Sequence, residues 1–488
     1  MLVLKLTIKL ETGNAKKYDK RESDTMETAI VKRKTQGVLT KYLSGSSMDY
    51  RQIISLFIPL LIDQAFIVGL NILNTSMISS SGVEAVSAVN MVDSINLFLL
   101  SVIIAVATGG TVVVAQYKGS RNDVMVSKSA AGTVSSVALL SFGIGLFIIL
   151  LHNPLLNLLF GQADPLVFEN ARIYLIGSGI SYVGIGIVEA VCSALRGIGK
   201  MRASLVLSLI MNLVYVGLNM VFIHGLHMGV YGMTISVNLA RYLAAGCAIY
   251  YLIRVDHSLH LKLKELIHVN LTMLKKIMFI GLPFAAEQMF FNGGKILTQI
   301  FIVSLGTNAI ATNAIAASLS MLFQIPSNAL MLTLITVVGQ CVGQKNIEDA
   351  RKFIRSFLWL SSGLLLLMGL LCMPFFNTLI SFFQPPQEIV SDIFWILIIT
   401  LIGQISLWSI SFMTPAALRA AGDAKYTSMV SMLSMWLFRV VLGYILGITL
   451  GYGIMGVWVA MNLEWGVRGL LFLRRYKGEL WYQHKLID

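Results

Sequence analysis

The chain consists largely of long runs in which polar residues are rare and do not alternate with apolar ones. A helix needs about 20 mainly apolar residues to cross a bilayer, whereas barrel strands of about ten residues alternate in character. The pattern therefore predicts twelve membrane-crossing helices, at 52–80, 91–117, 129–151, 171–195, 203–223, 229–253, 277–304, 314–343, 356–380, 392–418, 426–448 and 453–473. Short turns marked by Gly161, Pro385-Pro386 and Gly451 separate them.

Composition supports this class. Of 488 residues, 56% are hydrophobic and 12% charged, about half the charge of a soluble domain. That excludes a soluble globular enzyme and a disordered protein. The net charge of +13 would suggest nucleic acid in a soluble chain, but here the basic residues sort by loop. The turns after spans 2, 4, 6, 8 and 10 and the C-terminus are basic, with Lys118, Arg196, Lys262, Lys345 and Arg419 among them, while the alternate turns hold no Lys or Arg. The positive-inside rule then makes the basic side cytoplasmic, with both termini on it. A multi-pass protein of the cell membrane is expected, with the lipid bilayer as its surroundings and no nucleic-acid partner.

Two halves repeat. Pro59, Asp63, Gln64, Gly82, Gln116, Gly119 and Asn122 recur 224 residues later as Pro283, Glu287, Gln288, Gly306, Gln340, Gly343 and Asn346. Ala194-Leu195-Arg196 with Gly199 recurs 223 residues later as Ala417-Leu418-Arg419 with Gly422. Six spans per unit give both halves the same orientation, the parallel kind of repeat found in transporters. The fold class is thus an all-α polytopic membrane protein, twelve helices in two six-helix bundles related by a pseudo-twofold axis. The expected organisation is a basic N-terminal segment 1–50, dispensable for insertion and transport, a first bundle 51–253, a linker 254–276, a second bundle 277–475 and a tail 476–488. A monomer is expected, since both bundles lie in one chain.

The order of Pro59, Asn74 and Gly82, the segment Val114 to Asn122, and the paired Ala194–Lys200 and Ala417–Lys425 elements resemble the multidrug and toxic compound extrusion (MATE) family, and within it the bacterial DinF-like branch. The resemblance covers roughly 50–475. It implies two six-helix bundles forming a V. It also implies export of drugs, organic cations or amphipathic metabolites against an inward flow of sodium ions or protons. A lipid-linked precursor flippase is the alternative in the same superfamily; it should show a basic cavity for pyrophosphate.

Charges inside a bilayer are costly, about 2.5–3.5 kcal/mol each on insertion scales, and mark candidate sites. Asp63, Glu189 and Glu287 fall well within spans; Asp63 and Glu287 each stand four residues after a proline that loosens the helix, with Gln64 and Gln288 directly following. These acids either bind a coupling cation or a substrate, or form duplicated structural hydrogen bonds. Family members often carry an aspartate fifteen residues after the first-helix proline, where this chain has Asn74. An amide cannot titrate, so Asn74 and Asn71 are candidates as oxygen ligands to sodium or as hydrogen-bond partners of a substrate. Lys295 either pairs with Glu189 or Asp63, or binds an anionic group. Arg439, Arg241 and the Glu464–Arg468 pair are expected to be structural. No metal beyond a sodium ion, no organic cofactor and no catalytic residue is expected, since no phosphate loop, Cys/His cluster or nucleophile arrangement occurs.

Overall fold

The turn that recurs in both halves shows how the sequence builds its helices. Arg121 and Lys345 adopt positive φ, 57° and 59°. Asn122 and Asn346, which follow them, cap the next helix by accepting from Met125 N and Asp349 N, each at 3.1 Å. Asparagine is a strong N-cap, so the shared Gly-x-basic-Asn element ends one membrane helix and starts another at the same height in both halves.

The structure is a computed structural model describing Gly37 and residues 40–487, except 80, 162–163, 257, 260 and 485; the side chains described exclude those of 71–76, 78–79, 83 and 267. Twelve long helices follow in order: α1 (Tyr50–Ser79), α2 (Val83–Gly119), α3 (Asp123–Phe160), α4 (Pro165–Gly197), α5 (Met201–Asn219), α6 (Gly229–Tyr250), α7 (Leu271–Ser304), α8 (Thr307–Gly343), α9 (Ile347–Cys372), α10 (Gln387–Gly403), α11 (Ala424–Ser434) and α12 (Gly453–Lys477). Wider, π-type turns prolong α5, α6, α10 and α11; that after α10 covers Gln404–Met413 and those after α11 cover Met435–Leu442 and Ile445–Thr449. Among the described residues there is no strand. Among the described residues, nine helices are long and apolar enough to cross a membrane. The other three, α6, α7 and α12, carry Arg241, Glu287 with Lys295, and Glu464 with Arg468. The chain is thus a twelve-helix, multi-pass membrane protein, as the hydrophobic pattern predicts.

The halves meet most closely toward the end that carries the basic turns. There α2 and α8 cross at Gly119 and Gly343, where a Cβ on either would lie 2.0–2.1 Å from the carbonyl oxygen of Gln340 or Gln116. Only glycine lets the backbones approach so far, the small-residue contact typical of membrane helices. Gln116 Nε2 donates to Ala420 O at 2.8 Å and Gln340 Nε2 to Gly197 O at 3.0 Å. Each half thereby satisfies the open carbonyls at the end of the other's Leu-Arg-x-x-Gly helix.

Of the segment 1–50, residues 1–36 and 38–39 lie outside the described residues. The part that follows is docked on the second half. Ser46 Oγ and Ser47 N donate to Asp349 at 3.0 and 2.7 Å, Ser356 Oγ donates to Tyr42 O at 2.7 Å, and Leu43 and Met48 are buried. In the linker, Lys200 Nζ donates to Asp256 at 2.7 Å. Burial alone would raise the Asp256 carboxyl, but hydrogen bonds from Lys200 and Ser258 hold it below its usual range.

Replacing Gly343 by alanine should cost about 1–3 kcal/mol by overpacking and lower the melting temperature of the purified protein. Alanine at Gly143, which has nothing within 4 Å of its Cβ position, should not; equal melting temperatures would show that the crossing relaxes freely.

Candidate functional site

The first half encloses a cavity of about 380 Å³ lined by Asn90, Asp93, Asn96, Tyr174, Asn212, Tyr215 and Arg241. Asn90, Asp93 and Asn96 recur every three residues on α2, so they share one helix face. Asp93 Oδ1 accepts from Tyr174 OH at 3.1 Å and from Asn96 Nδ2 at 3.2 Å. Asn96 also donates to Ser178 Oγ at 3.1 Å, and its Oδ1 accepts from Tyr182 OH at 2.6 Å. Arg241 donates to Ser181 Oγ at 2.6 Å and forms no ion pair with Asp93. Asp93 is therefore a carboxylate within a membrane helix held by neutral donors, in a cavity rich in oxygen atoms. Such a set suits a hard monovalent cation or a proton.

Nearer the basic end, the duplicated acids meet the arginines of the Leu-Arg-x-x-Gly elements. Glu287 accepts from Arg419 Nη1 at 3.0 and 3.3 Å and from Ser428 Oγ at 3.0 Å. The Arg419 guanidinium also lies 4.1 Å from the Phe284 ring. In the first half the arrangement is looser. Arg196 donates to Glu189 at 3.3 Å and to Ser193 Oγ at 3.0 Å. Asp63 is buried beside Ser208 with Oδ1 unpartnered. The second half has Phe412 where Glu189 stands, at the 223-residue interval, so Glu287 keeps its arginine undivided. Asp63, Gln64, Glu189 and Arg196 line a cavity of about 290 Å³ that Asn328 and Met331 of α8 close from the other half.

The remaining intramembrane charges gather in the second half. Arg439 Nη2 donates to Glu464 at 2.8 Å, and Arg468 lies 3.0 Å from the same carboxylate one turn along α12. Both arginines thus pair with Glu464, Arg468 at the expected four-residue spacing. Lys295 pairs with neither Glu189 nor Asp63; its Nζ rests 4.9 Å from the Phe291 ring. Gln288 is half-buried on α7. The α1 backbone is helical through Asn71 and Asn74, whose side chains lie outside those described.

The hydrophobic pattern starts the second span at 91, which leaves Asp93 near its end; α2 begins a full two turns earlier, at Val83, which places Asp93 inside. The three-residue spacing of Asn90, Asp93 and Asn96 was the available signal. Arg196 and Arg419 were read as loop charges, although their duplication alongside the duplicated acids linked them. Among the described residues no group of three His, Cys, Asp or Glu stands close enough to hold a metal ion.

Glu287→Gln should destabilise the protein by about 3–5 kcal/mol, because it strands a buried arginine. The pair Glu287→Met with Arg419→Met should recover most of that loss, and Asp63→Asn should cost far less. A small loss for Glu287→Gln in thermal unfolding would show that Arg419 finds solvent when unpaired.

The model of the MatE family matches residues 59–221 and again 283–445, the second match starting 224 residues after the first, which is the interval of the sequence repeat. The chain is 26% identical over 434 residues to the uncharacterized transporter YisQ of Bacillus subtilis, covering 88% of this chain and 94% of that protein. It is 23% identical to a probable multidrug resistance protein NorM of Thermotoga maritima, covering 90% and 94%. A solved outward-facing structure of a multidrug resistance MATE family transporter superposes with a TM-score of 0.79 at 20% identity, over 87% of this chain and 95% of that one. With the family model covering most of both halves, the chain belongs to the MatE family of membrane transporters.

Proposed function

We propose that this protein is a secondary active exporter of the cell membrane, moving amphipathic small molecules outward in exchange for sodium ions or protons. The observation that carries the reading is Asp93, a carboxylate inside a membrane helix, in a cavity and without an ion pair. A bare carboxylate there is costly, and either a proton or a sodium ion neutralises it. Neutralisation alters its hydrogen bonds to Tyr174 and Asn96, and through Asn96 those to Ser178 and Tyr182, so ion occupancy bears directly on how α2 packs against α4. Such a link lets an ion gradient bias a two-state equilibrium. The amide oxygens of Asn71 and Asn74 are further proposed ligands, and Asp63 with Glu189 forms a second proposed acidic station nearer the basic end.

The basic end faces the cytoplasm in this reading, with both termini, and a single chain forms the transport unit. Access from the cytoplasm requires the α2–α8 crossing to open and the Gln116 and Gln340 bonds to break, while the halves rock about the cavity between them. Relatives described as probable multidrug resistance proteins support drugs or other amphipathic compounds as cargo.

The test is export from proteoliposomes under imposed sodium or proton gradients. Wild type should respond to one of them. Asp93→Asn, which keeps the size and the hydrogen-bond acceptor, should lower gradient-driven transport by about tenfold or more, the loss of roughly 1.4 kcal/mol of coupling. Gradient dependence retained in Asp93→Asn would move coupling to Asp63 or Glu189, and wild-type transport indifferent to both gradients would refute antiport.

A further inference from the structure

The second half carries more positive charge inside its helices than its carboxylates can balance. Glu464 is shared between Arg439 and Arg468, and all three residues are buried. Arg468 is further committed by Nε to Ser411 Oγ at 2.7 Å and by the Phe412 ring at 4.3 Å. Arg439 Nε and Arg468 Nη2 are buried without an acceptor. Lys295 then adds a positive charge with no carboxylate within 4.0 Å among the described residues. Lys295 Nζ and the Arg439 guanidinium lie against one ring, that of Phe291, at 4.9 and 5.3 Å, so two cations flank the same apolar wall.

Lys295 is placed to meet a solute rather than lipid. One turn before it, Asn292 Nδ2 donates to Ser101 Oγ of α2 at 3.1 Å. One turn after it, Gln299 accepts from Asn313 of α8 at 3.2 Å. This polar face of α7 touches the other half at Asn292 and α8 of its own half at Gln299, and Lys295 is exposed between them. The first half has no such surplus. At the repeat interval of 224, Lys295, Arg439, Glu464 and Arg468 correspond to Asn71, Tyr215, Ala240 and Ala244. Arg439 itself sits in the wide-turn segment of α11, where an irregular ladder re-aims side chains and often marks a functional site.

We infer that the second half binds an oxyanion, a carboxylate, sulfonate or phosphate carried on an apolar body, with Lys295 and Arg439 receiving the anion and Phe291 the body. An anion there pairs with the exposed Lys295 beside the buried Arg439 guanidinium, which attracts it more strongly than an exposed cation would. The inference rests on the export reading, whose substrate class it names. The anion comes either from a free amphipathic acid or from a lipid headgroup.

The test is equilibrium binding to the purified full chain in nanodiscs of phosphatidylcholine, using 2-naphthoate and 2-naphthylmethylammonium, one ring system with opposite charges. Naphthoate should bind more tightly. Lys295→Gln should weaken naphthoate by about tenfold, the worth of one charge-assisted contact, without weakening the ammonium, and Lys295→Arg should restore it. Repeating the titration in phosphatidylglycerol nanodiscs separates the sources. Loss of naphthoate binding there, dependent on Lys295, assigns the site to a lipid phosphate; unchanged binding assigns it to a free acid. Tighter binding of the ammonium, or equal naphthoate affinity in wild type and folded Lys295→Gln, overturns the inference. Because binding is read without a gradient, its failure is distinct from a failure of export, which only the proteoliposome assay reads.

Discussion

An ionised group inside a hydrocarbon layer needs a partner, and the internal architecture of this chain follows the places where it meets that demand. Glu287 takes Arg419, Glu189 takes Arg196, and Glu464 takes two arginines. Each pair ties helices that are distant in sequence or fixes the end of one, so the charges that the apolar spans tolerate least also determine how those spans associate. Helix association in lipid has little hydrophobic driving force; ion pairs, buried hydroxyls and glycine contacts take its place.

Duplication explains the shared parts and divergence the functional ones. The cap residues Asn122 and Asn346, the crossing glycines Gly119 and Gly343, and the reciprocal bonds of Gln116 and Gln340 keep the same role in both halves. They all lie toward the basic end, where the halves close on each other. The positive φ of Gly199 and Gly422, 89° and 105°, turns the chain there in a way that other residues adopt only with strain. Beyond this end the halves differ. Asp93 corresponds to Ala317 and Glu189 to Phe412, while Lys295 and Arg439 correspond to Asn71 and Tyr215. A symmetric scaffold at one end thus supports two chemically different interiors.

Much of this was legible in the sequence because hydrophobic length, loop charge and the repeat are long-range patterns that survive local irregularity. The helices and their duplication follow from them directly. The site was less legible, because the same pattern hides which face a polar residue occupies and where a helix begins. Asp93 fell near a predicted boundary at 91 that the structure moves back to Val83. Glu287 stood out as one of a duplicated pair of intramembrane acids, yet its partner Arg419 was assigned to a loop because basic residues near helix ends are usually there for topology. Lys295 was visible as an anomaly, but its lack of a carboxylate partner is a fact of packing that no spacing rule supplies. Where the chain carries Asn74 in place of an acid, an amide cannot titrate, and a carboxylate that the structure sets in a cavity of the same half without an ion pair is Asp93, on the next helix.

The opposite character of the two interiors has a mechanistic consequence. If a cation is taken up in the first half and an anion in the second, the charges of ion and substrate need not compete for one carboxylate, as they would in a single acidic pocket. Exchange must then be enforced by conformation. The Ser101–Asn292 bond and the α2–α8 crossing both place α2 against the second half, and α2 also carries Asp93. A change in the packing of α2 on ion uptake is therefore felt on the face of α7 that presents Lys295, one turn from Asn292. That contact joins the two interiors through a single helix, and it gives coupling a physical route that does not require ion and substrate to touch.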